Sequence, residues 1–307
     1  MAQLKHGDLT IDYDDKVFTE GDLCKVFPCT ITSPPTATKS SAVKTIFDRL
    51  LEDDTDGTGK HTDLAVLKLA TVTFDNDMVA AEASFLKMIE AVPPNIDTKD
   101  KFASKYFPHL IDTVTIRSRA GNIIARLTGY VSMAEVHAAY PAGVDYRDLA
   151  WMLKRVLEGL GYAHNAGHIH GAIIPQHIML DLANHGAKLI DWCYSVPMAQ
   201  KRSIPAYVSS AKPFYAPEIF LKRLPTPATD LYMLAKCCVH MLGGDVGTNG
   251  LPASVPTEFA DVLRKCLQES PSARPNSAWE LHDEITKTLE KLVGKPTFRP
   301  FTMPAPV

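Results

Sequence analysis

The chain has 307 residues, of which 46% are hydrophobic and 22% are charged, and its formal net charge is -3. These proportions are ordinary for a globular protein, and the length suits one bilobal unit or two domains. The near-neutral charge provides no basic surface field of the kind that attracts nucleic acid. We therefore expect no nucleic-acid partner.

The first part of the chain predicts strands and one helix. Residues 9–13 and 25–31 alternate apolar and polar side chains, which predicts two paired strands around residues 20–22. Residues 64–70 predict a further strand. Residues 75–90 predict a helix with its apolar side chains on one stripe, which comprises Met78, Val79, Phe85, Leu86 and Ile89.

An insertion interrupts these strands at residues 32–62, where Pro, Thr, Gly and acidic residues are frequent. This composition predicts a mobile surface segment. Apolar residues recur at helical spacing from Val43 to Leu51 and predict a short amphipathic helix. Two interpretations of this helix remain open: it packs on its own lobe, or it docks a protein partner.

A second hairpin is predicted at residues 107–118 and 121–129. Gly121 and Asn122 are placed near its turn, because Gly and Asn are favoured in tight hairpin turns.

The second half of the chain predicts helices. Asp145 is placed at the N-cap of a helix that Gly167 closes. Further helices are predicted over residues 228–242, 256–269 and 277–293. The segment from Gly294 onward contains four prolines and is expected to be extended and on the surface. Strands followed by helices indicate an α+β fold.

Targeting and redox signals favour the cytoplasm. Residues 1–15 lack the apolar segment of a secretory signal, and no apolar run approaches the roughly 18 residues of a membrane span. The six cysteines form no Cys-x-x-Cys pair, which favours reduced thiols over a disulfide framework or a zinc site. We expect a cytoplasmic protein with no membrane association.

Five motifs carry a resemblance to a known family. They are Thr19 to Val26, Ala65-Val66-Leu67-Lys68, His170 to Leu180, Asp191-Trp192-Cys193 and Tyr215-Ala216-Pro217-Glu218. In this order they resemble the glycine-rich loop, Val-Ala-Ile-Lys strand, catalytic loop, Asp-Phe-Gly and Ala-Pro-Glu segments of the eukaryotic-type protein kinase family. The resemblance implies a bilobal kinase-like α+β fold. Its strand-rich N-lobe would span residues 1–130 and its helical C-lobe residues 131–293, before a Pro-rich tail at 294–307.

The resemblance also implies a weak site for ATP and Mg²⁺. Lys68 matches the lysine that contacts the α- and β-phosphates and pairs with a glutamate on the next helix, here Glu82. Asp191 matches the magnesium ligand. Gly21 is the one glycine kept of three in the loop, and Val26 is placed to cover the adenine ring.

The catalytic loop keeps the family's structural His at His170 but departs from the family at the positions that carry its chemistry. Ala172 stands where the family has the Asp that accepts the substrate proton, and Gly171 replaces the Arg. Ile174 stands where serine/threonine kinases usually carry a lysine, and His177 replaces the metal-binding Asn. Loss of a general base costs about 10²–10⁴ in rate, and the other replacements add to that loss.

Three further matches are expected to support the fold. The resemblance implies that Glu218 pairs with a buried arginine, Arg274, and that Asp230 braces the backbone of the catalytic loop.

Three functional interpretations remain open. The first is a pseudokinase that binds ATP and Mg²⁺ and acts through a protein partner, for which the 32–62 insertion is the candidate docking element. The second is an atypical serine/threonine kinase-fold transferase with a rebuilt catalytic loop that uses His177 and Asp191. The third is a module without nucleotide that only binds protein.

Overall fold

Alternating side chains in the N-terminal half produce an antiparallel sheet. The computed structural model describes residues 2–6, 9–13, 16–32, 61–91, 105–295 and 297–304. The strands of this sheet are β1 Ala2–His6, β2 Leu9–Tyr13, β3 Thr19–Glu20, β4 Cys24–Thr32, β5 His61–Ala70, β6 Leu110–Ile116 and β7 Arg119–Ala125. Their order is β1-β2-β4-β5-β7-β6, and β3 pairs with β4. Ile11, Leu67 and Ile123 are fully buried on one face, as period-two alternation requires.

The two strands predicted around residues 20–22 are confirmed as a pair. β2 and β4 run antiparallel, with Thr10 opposite Thr32 and Tyr13 opposite Cys29. β1, which the sequence did not predict, extends the sheet by pairing with β2. The helix predicted from Val43 to Leu51, and nearly all of the insertion that carries it, lie outside the described residues.

The second predicted hairpin exists, but the prediction of its turn was wrong. β6 and β7 are joined at Arg117 and Ser118, whose φ angles are 48° and 66°. A two-residue hairpin turn of this type needs a positive φ at both positions. Gly121 instead lies within β7, where an added Cβ would sit 3.1–3.3 Å from the side chains of Val114, Leu67 and Leu69. The glycine therefore serves close packing, not the turn.

The first helix follows its predicted stripe. α1 spans Asn76–Ala91, and all five predicted apolar positions are buried. The Asn76 side chain fixes the start of α1 against the β6–β7 hairpin, because its amide donates to the Ser118 carbonyl at 2.9 Å and accepts from the Ala120 N–H at 2.8 Å.

The chain forms two compact units, residues 1–87 with 108–128 and residues 88–107 with 129–307. The second unit contains the other helices of the described residues: α2 Met133–Ala139, α3 Tyr146–Asn165, α4 Pro217–Phe220, α5 Pro227–Met241, α6 Thr257–Cys266 and α7 Ala278–Val293. Its short strands are β8 Val131–Ser132, β9 His168–Ile169, β10 Ile178–Asp181, β11 Gly186–Leu189 and β12 Val196–Pro197. β10 lies between β11 and β8, and β9 pairs with β12.

The predicted ends of α3 are confirmed. The Asp145 carboxylate accepts from the Arg147 N–H at 2.8 Å, and Gly167 adopts φ +79° just beyond the last turn. The helix predicted to reach residue 269 instead ends at Cys266. Beyond its end, the carbonyls of Gln268 and Glu269 accept hydrogen bonds from Arg274.

The C-terminal segment lies on the surface of the second unit. Arg299 pairs with Asp148 at 2.9 Å, and the Tyr140 hydroxyl donates to the Thr302 carbonyl at 2.6 Å. Phe298 stacks on His185 yet stays 64% exposed. In the described part of the chain, no helix is both long and apolar enough to cross a membrane.

Candidate functional site

A buried ion pair lies in the first unit. Lys68, on β5, places its Nζ 3.0 Å from Glu82 Oε1 on α1, and the two side chains are 9% and 1% exposed. A buried carboxylate is costly without a cation, so the lysine compensates the glutamate. The pair that the sequence predicted is present.

Asn122, which the sequence placed near a hairpin turn, is instead a third member of this cluster. Its side-chain amide donates to Glu82 Oε2 at 3.0 Å and to the Val79 carbonyl at 2.9 Å, and the residue is 1% exposed. Glu82 is therefore held from both oxygens, which fixes the orientation of Lys68. Strand register brings Asn122 to this position, because Asn122 on β7 lies opposite Lys68 on β5.

The segment matching the glycine-rich loop is a tight hairpin of β3 and β4. The Gly21 N–H donates to the Cys24 carbonyl at 2.9 Å, so it is engaged within the turn. Glu20 pairs with Lys25 at 3.0 Å. Val26 lies on β4, half-buried and opposite Lys68. This turn offers a phosphate group fewer accessible backbone N–H donors than a loop with three glycines would.

Asp230 braces the segment that matches the catalytic loop, in the second unit. Its carboxylate accepts from the backbone N–H groups of His170 and Gly171, each at 2.9 Å, and lies 2.9 Å from His164 Nε2. Asp230 is fully buried near the start of α5. The predicted bracing role is confirmed by these contacts.

His170 is held as a neutral ring. Its Nδ1 accepts from the Ala172 N–H at 3.2 Å, so its Nε2 carries the proton that is donated to the Ile190 carbonyl at 3.0 Å. Burial lowers the pKa of His170 to about 4, although the nearby Asp230 acts in the opposite direction. Trp192 packs on the ring at 4.4 Å between centroids and donates to the Leu189 carbonyl, which fixes the segment after Asp191.

Ala172, at the position of the family's catalytic base, is fully buried. Its N–H and its carbonyl are both engaged, with His170 Nδ1 and His177 Nδ1. Ile173 and Ile174 are also fully buried. The loop is therefore packed as core here and presents no carboxylate for proton transfer.

Both the backbone conformation at position 171 and the atoms around it favour glycine. Its φ is +78°, and an added Cβ would lie 2.9 Å from the Tyr194 carbonyl oxygen and 3.0 Å from Ile204 Cδ1. The arginine that the family carries at this position has no room in this loop.

Substitution Gly171→Ala is expected to lower the free energy of unfolding by about 2 kcal/mol, because left-handed φ and steric overlap both oppose the methyl group. Gly167→Ala is a matched control, since Gly167 has φ +79° but open space around it, and it should cost about 1 kcal/mol. Urea unfolding measures both. Equal losses would show that the contacts around Gly171 impose nothing beyond its φ.

His177 and Asp191 meet because of strand pairing. His177 directly precedes β10, Asp191 follows β11, and the Ile190 N–H donates to the His177 carbonyl at 3.0 Å. His177 Nε2 lies 3.2 Å from Asp191 Oδ2, and its Nδ1 lies 2.9 Å from the Ala172 carbonyl. Asp191 adopts φ 65°, which aspartate tolerates better than most residues.

Glu218 and Arg274 form the predicted buried pair. The two guanidinium nitrogens lie 2.7 and 3.1 Å from the two carboxylate oxygens, and neither side chain is more than 2% exposed. Tyr232 packs under the guanidinium at 4.4 Å. This bidentate geometry ties α4 to the segment before α7 and supports the fold.

Comparisons with known proteins agree with these elements. A family model described as the protein kinase domain matches residues 104–292, which is more than half of the 307 residues. The chain therefore belongs to the protein kinase domain family. Its α+β fold class, with a strand-rich and a helical unit, is the one that the sequence predicted.

Curated relatives are serine/threonine and related protein kinases. Serine/threonine-protein kinase PkaB of Streptomyces coelicolor is 28% identical over 164 residues, covering 45% of this chain and 39% of the relative. Mitogen-activated protein kinase kinase kinase 8 of Rattus norvegicus is 30% identical over 97 residues, covering 32% and 20%. Probable serine/threonine-protein kinase mkcD of Dictyostelium discoideum is 25% identical over 244 residues, covering 70% and 36%. The chain thus spans between a fifth and two-fifths of the length of these relatives.

Proposed function

We propose that this chain is a pseudokinase: a kinase-like module that binds an adenine nucleotide weakly and acts through a protein partner, with little or no phosphoryl transfer. The observation that carries the proposal is the contrast between the ion pair that would contact nucleotide and the position of the catalytic base. The Lys68–Glu82 pair is kept and held by Asn122, whereas Ala172 is buried where a catalytic base would stand.

Nucleotide binding is supported by Lys68. Its ammonium group is fixed by Glu82, and a fixed cation binds phosphate without a further ordering cost. The hairpin around Gly21 weakens the binding, because its N–H is engaged and Glu20 adds negative charge that Lys25 only partly offsets. Weak affinity for ATP follows from the combination.

Magnesium fits the pair formed by His177 and Asp191 only in part. Asp191 offers carboxylate oxygen, which Mg²⁺ prefers. His177 offers an imidazole nitrogen in place of the amide oxygen of the family's Asn, and Mg²⁺ binds nitrogen poorly. Asp191 is therefore proposed as a cation ligand, and the kind of cation is considered below.

The proposed partner is a protein. This fits a fold whose supporting contacts are present while its catalytic loop is packed as core. The 32–62 insertion remains the proposed docking element on its composition alone.

An atypical transferase is the second candidate, and the contact between His177 and Asp191 favours it. An imidazole oriented by a carboxylate is a common arrangement for a general base. Against this role, the Nδ1 proton of His177 is already donated to the Ala172 carbonyl, and its Nε2 faces the carboxylate.

A thermal-shift titration with ATP, with and without divalent cations, tests nucleotide binding. Stabilisation follows RT ln(1 + [L]/Kd) and reaches about 2.7 kcal/mol at 100 times Kd, so we expect a rise in melting temperature at millimolar ATP. Lys68→Ala should lose the rise relative to its own melting temperature. Lys87→Ala, an exposed lysine on the same helix as Glu82, should keep it. No rise in the wild type would overturn nucleotide binding, and an undiminished rise in Lys68→Ala would overturn the assignment of Lys68.

A further inference from the structure

The tautomer of His177 is fixed by its neighbour. Nδ1 lies 2.9 Å from the Ala172 carbonyl oxygen, which can only accept, so Nδ1 carries a proton. The other ring nitrogen, Nε2, faces Asp191 Oδ2 at 3.2 Å. In the neutral ring this Nε2 is a bare lone pair directed at a carboxylate oxygen.

A cation placed between His177 Nε2 and Asp191 Oδ2 would bind both electron pairs. Protein nitrogen and oxygen ligands bind zinc-like dications at about 2.0–2.2 Å, and two such ligands on one ion are roughly 3.0–3.4 Å apart at angles of about 90–110°. The observed 3.2 Å lies within this span. A histidine that donates its other N–H to a backbone carbonyl is also the usual outer-shell arrangement of metal-binding histidines.

The donor types select the class of metal. Mg²⁺ prefers oxygen and keeps its water, whereas imidazole suits Zn²⁺, Co²⁺, Ni²⁺ and Fe²⁺. Replacement of an amide by His177 therefore moves this site away from Mg²⁺.

We infer that His177 Nε2 and Asp191 form a two-residue site for a first-row transition-metal dication of the Co²⁺ and Zn²⁺ class, which binds there in preference to Mg²⁺. Water completes the coordination in the free protein. Nucleotide phosphates replace that water in the complex, and this last step alone rests on the proposed function.

The test is a titration of the full chain with Co²⁺ in the presence of excess Mg²⁺ and without nucleotide. Binding is monitored by the visible absorption of the bound Co²⁺ and by calorimetry. We expect one Co²⁺ site that Zn²⁺ displaces and Mg²⁺ does not. His177→Asn, which restores the amide oxygen of the family, should weaken Co²⁺ binding at least about tenfold, and Asp191→Ala should do the same. His185→Asn, in the turn between β10 and β11, is the matched control and should bind as the wild type does.

The outcomes separate the two proposals. Equal Co²⁺ affinity in wild type and His177→Asn, or ready displacement by Mg²⁺, would overturn the inference. If His177→Asn fails to fold, unchanged Co²⁺ binding in Asp191→Ala overturns it equally. An ATP-induced thermal shift that needs no metal would keep the nucleotide proposal even then, and His177-dependent Co²⁺ binding without any ATP shift would keep only the metal site.

Discussion

Replacing Asp230 with alanine is expected to lower the free energy of unfolding by about 4 kcal/mol, which is a large part of the 5–15 kcal/mol that stabilises a typical domain. The carboxylate is fully buried and accepts from the N–H groups of His170 and Gly171. Its removal leaves both donors buried without an acceptor, and each such loss costs about 1–3 kcal/mol.

The matched control for this variant is Asp261→Ala. Asp261 also pairs with a cation, Arg264, but both side chains are more than half exposed. Pairs of this kind contribute about 0–1 kcal/mol, so the urea midpoint should barely move. If Asp230→Ala lost no more stability than the control, Asp230 would not be the brace of this loop.

Returning the family's carboxylate to position 172 is expected to cost on the order of 3 kcal/mol and to produce no phosphoryl transfer. Ala172 has no exposed surface, and its neighbours Ile173 and Ile174 are equally buried. A carboxylate placed there loses its hydration, which is costly for a charged group. Urea unfolding and transfer from labelled ATP are the two measurements.

Ala172→Asn separates charge from volume in this experiment, because the amide has nearly the same size and no charge. We expect Ala172→Asn to be less destabilised than Ala172→Asp. A stable Ala172→Asp variant with restored transfer would show that the loop was never rebuilt and that a single methyl group had silenced an enzyme.

Local pattern was enough to predict the elements whose signals are periodic. The apolar stripe of α1 and the Asp145 cap of α3 are local features, and both were confirmed. α2 was overlooked, although Ser132 and Glu135 carry the reciprocal hydrogen bonds of a capping box whose spacing is visible in the sequence.

Positions decided by distant contacts were not predictable in the same way. Gly121 and Asn122 look like a turn pair, but one packs beneath neighbouring strands and the other binds Glu82. Their roles depend on strand register, which no short window of sequence contains.

In the candidate site too, some features were predictable from motifs and others depend on packing. The resemblance identified the Lys68–Glu82 pair and Asp230, because these residues keep family positions and the same partners. The burial of Ala172 and the fixed tautomer of His177 follow from packing around the loop, and motif comparison contains no information about packing.

Transfer of labelled phosphate from ATP is the most direct test of the central claim that this kinase-like chain has little or no phosphoryl transfer. Wild type, Asp191→Ala and His177→Ala would be compared for transfer to themselves and to generic protein substrates, with Mg²⁺ and with Co²⁺. We expect background transfer in all three proteins with either metal. Robust transfer by the wild type would contradict it: loss in both variants would assign His177 to a rebuilt active site, and loss in Asp191→Ala alone would reveal a metal-dependent enzyme that needs no base in the loop.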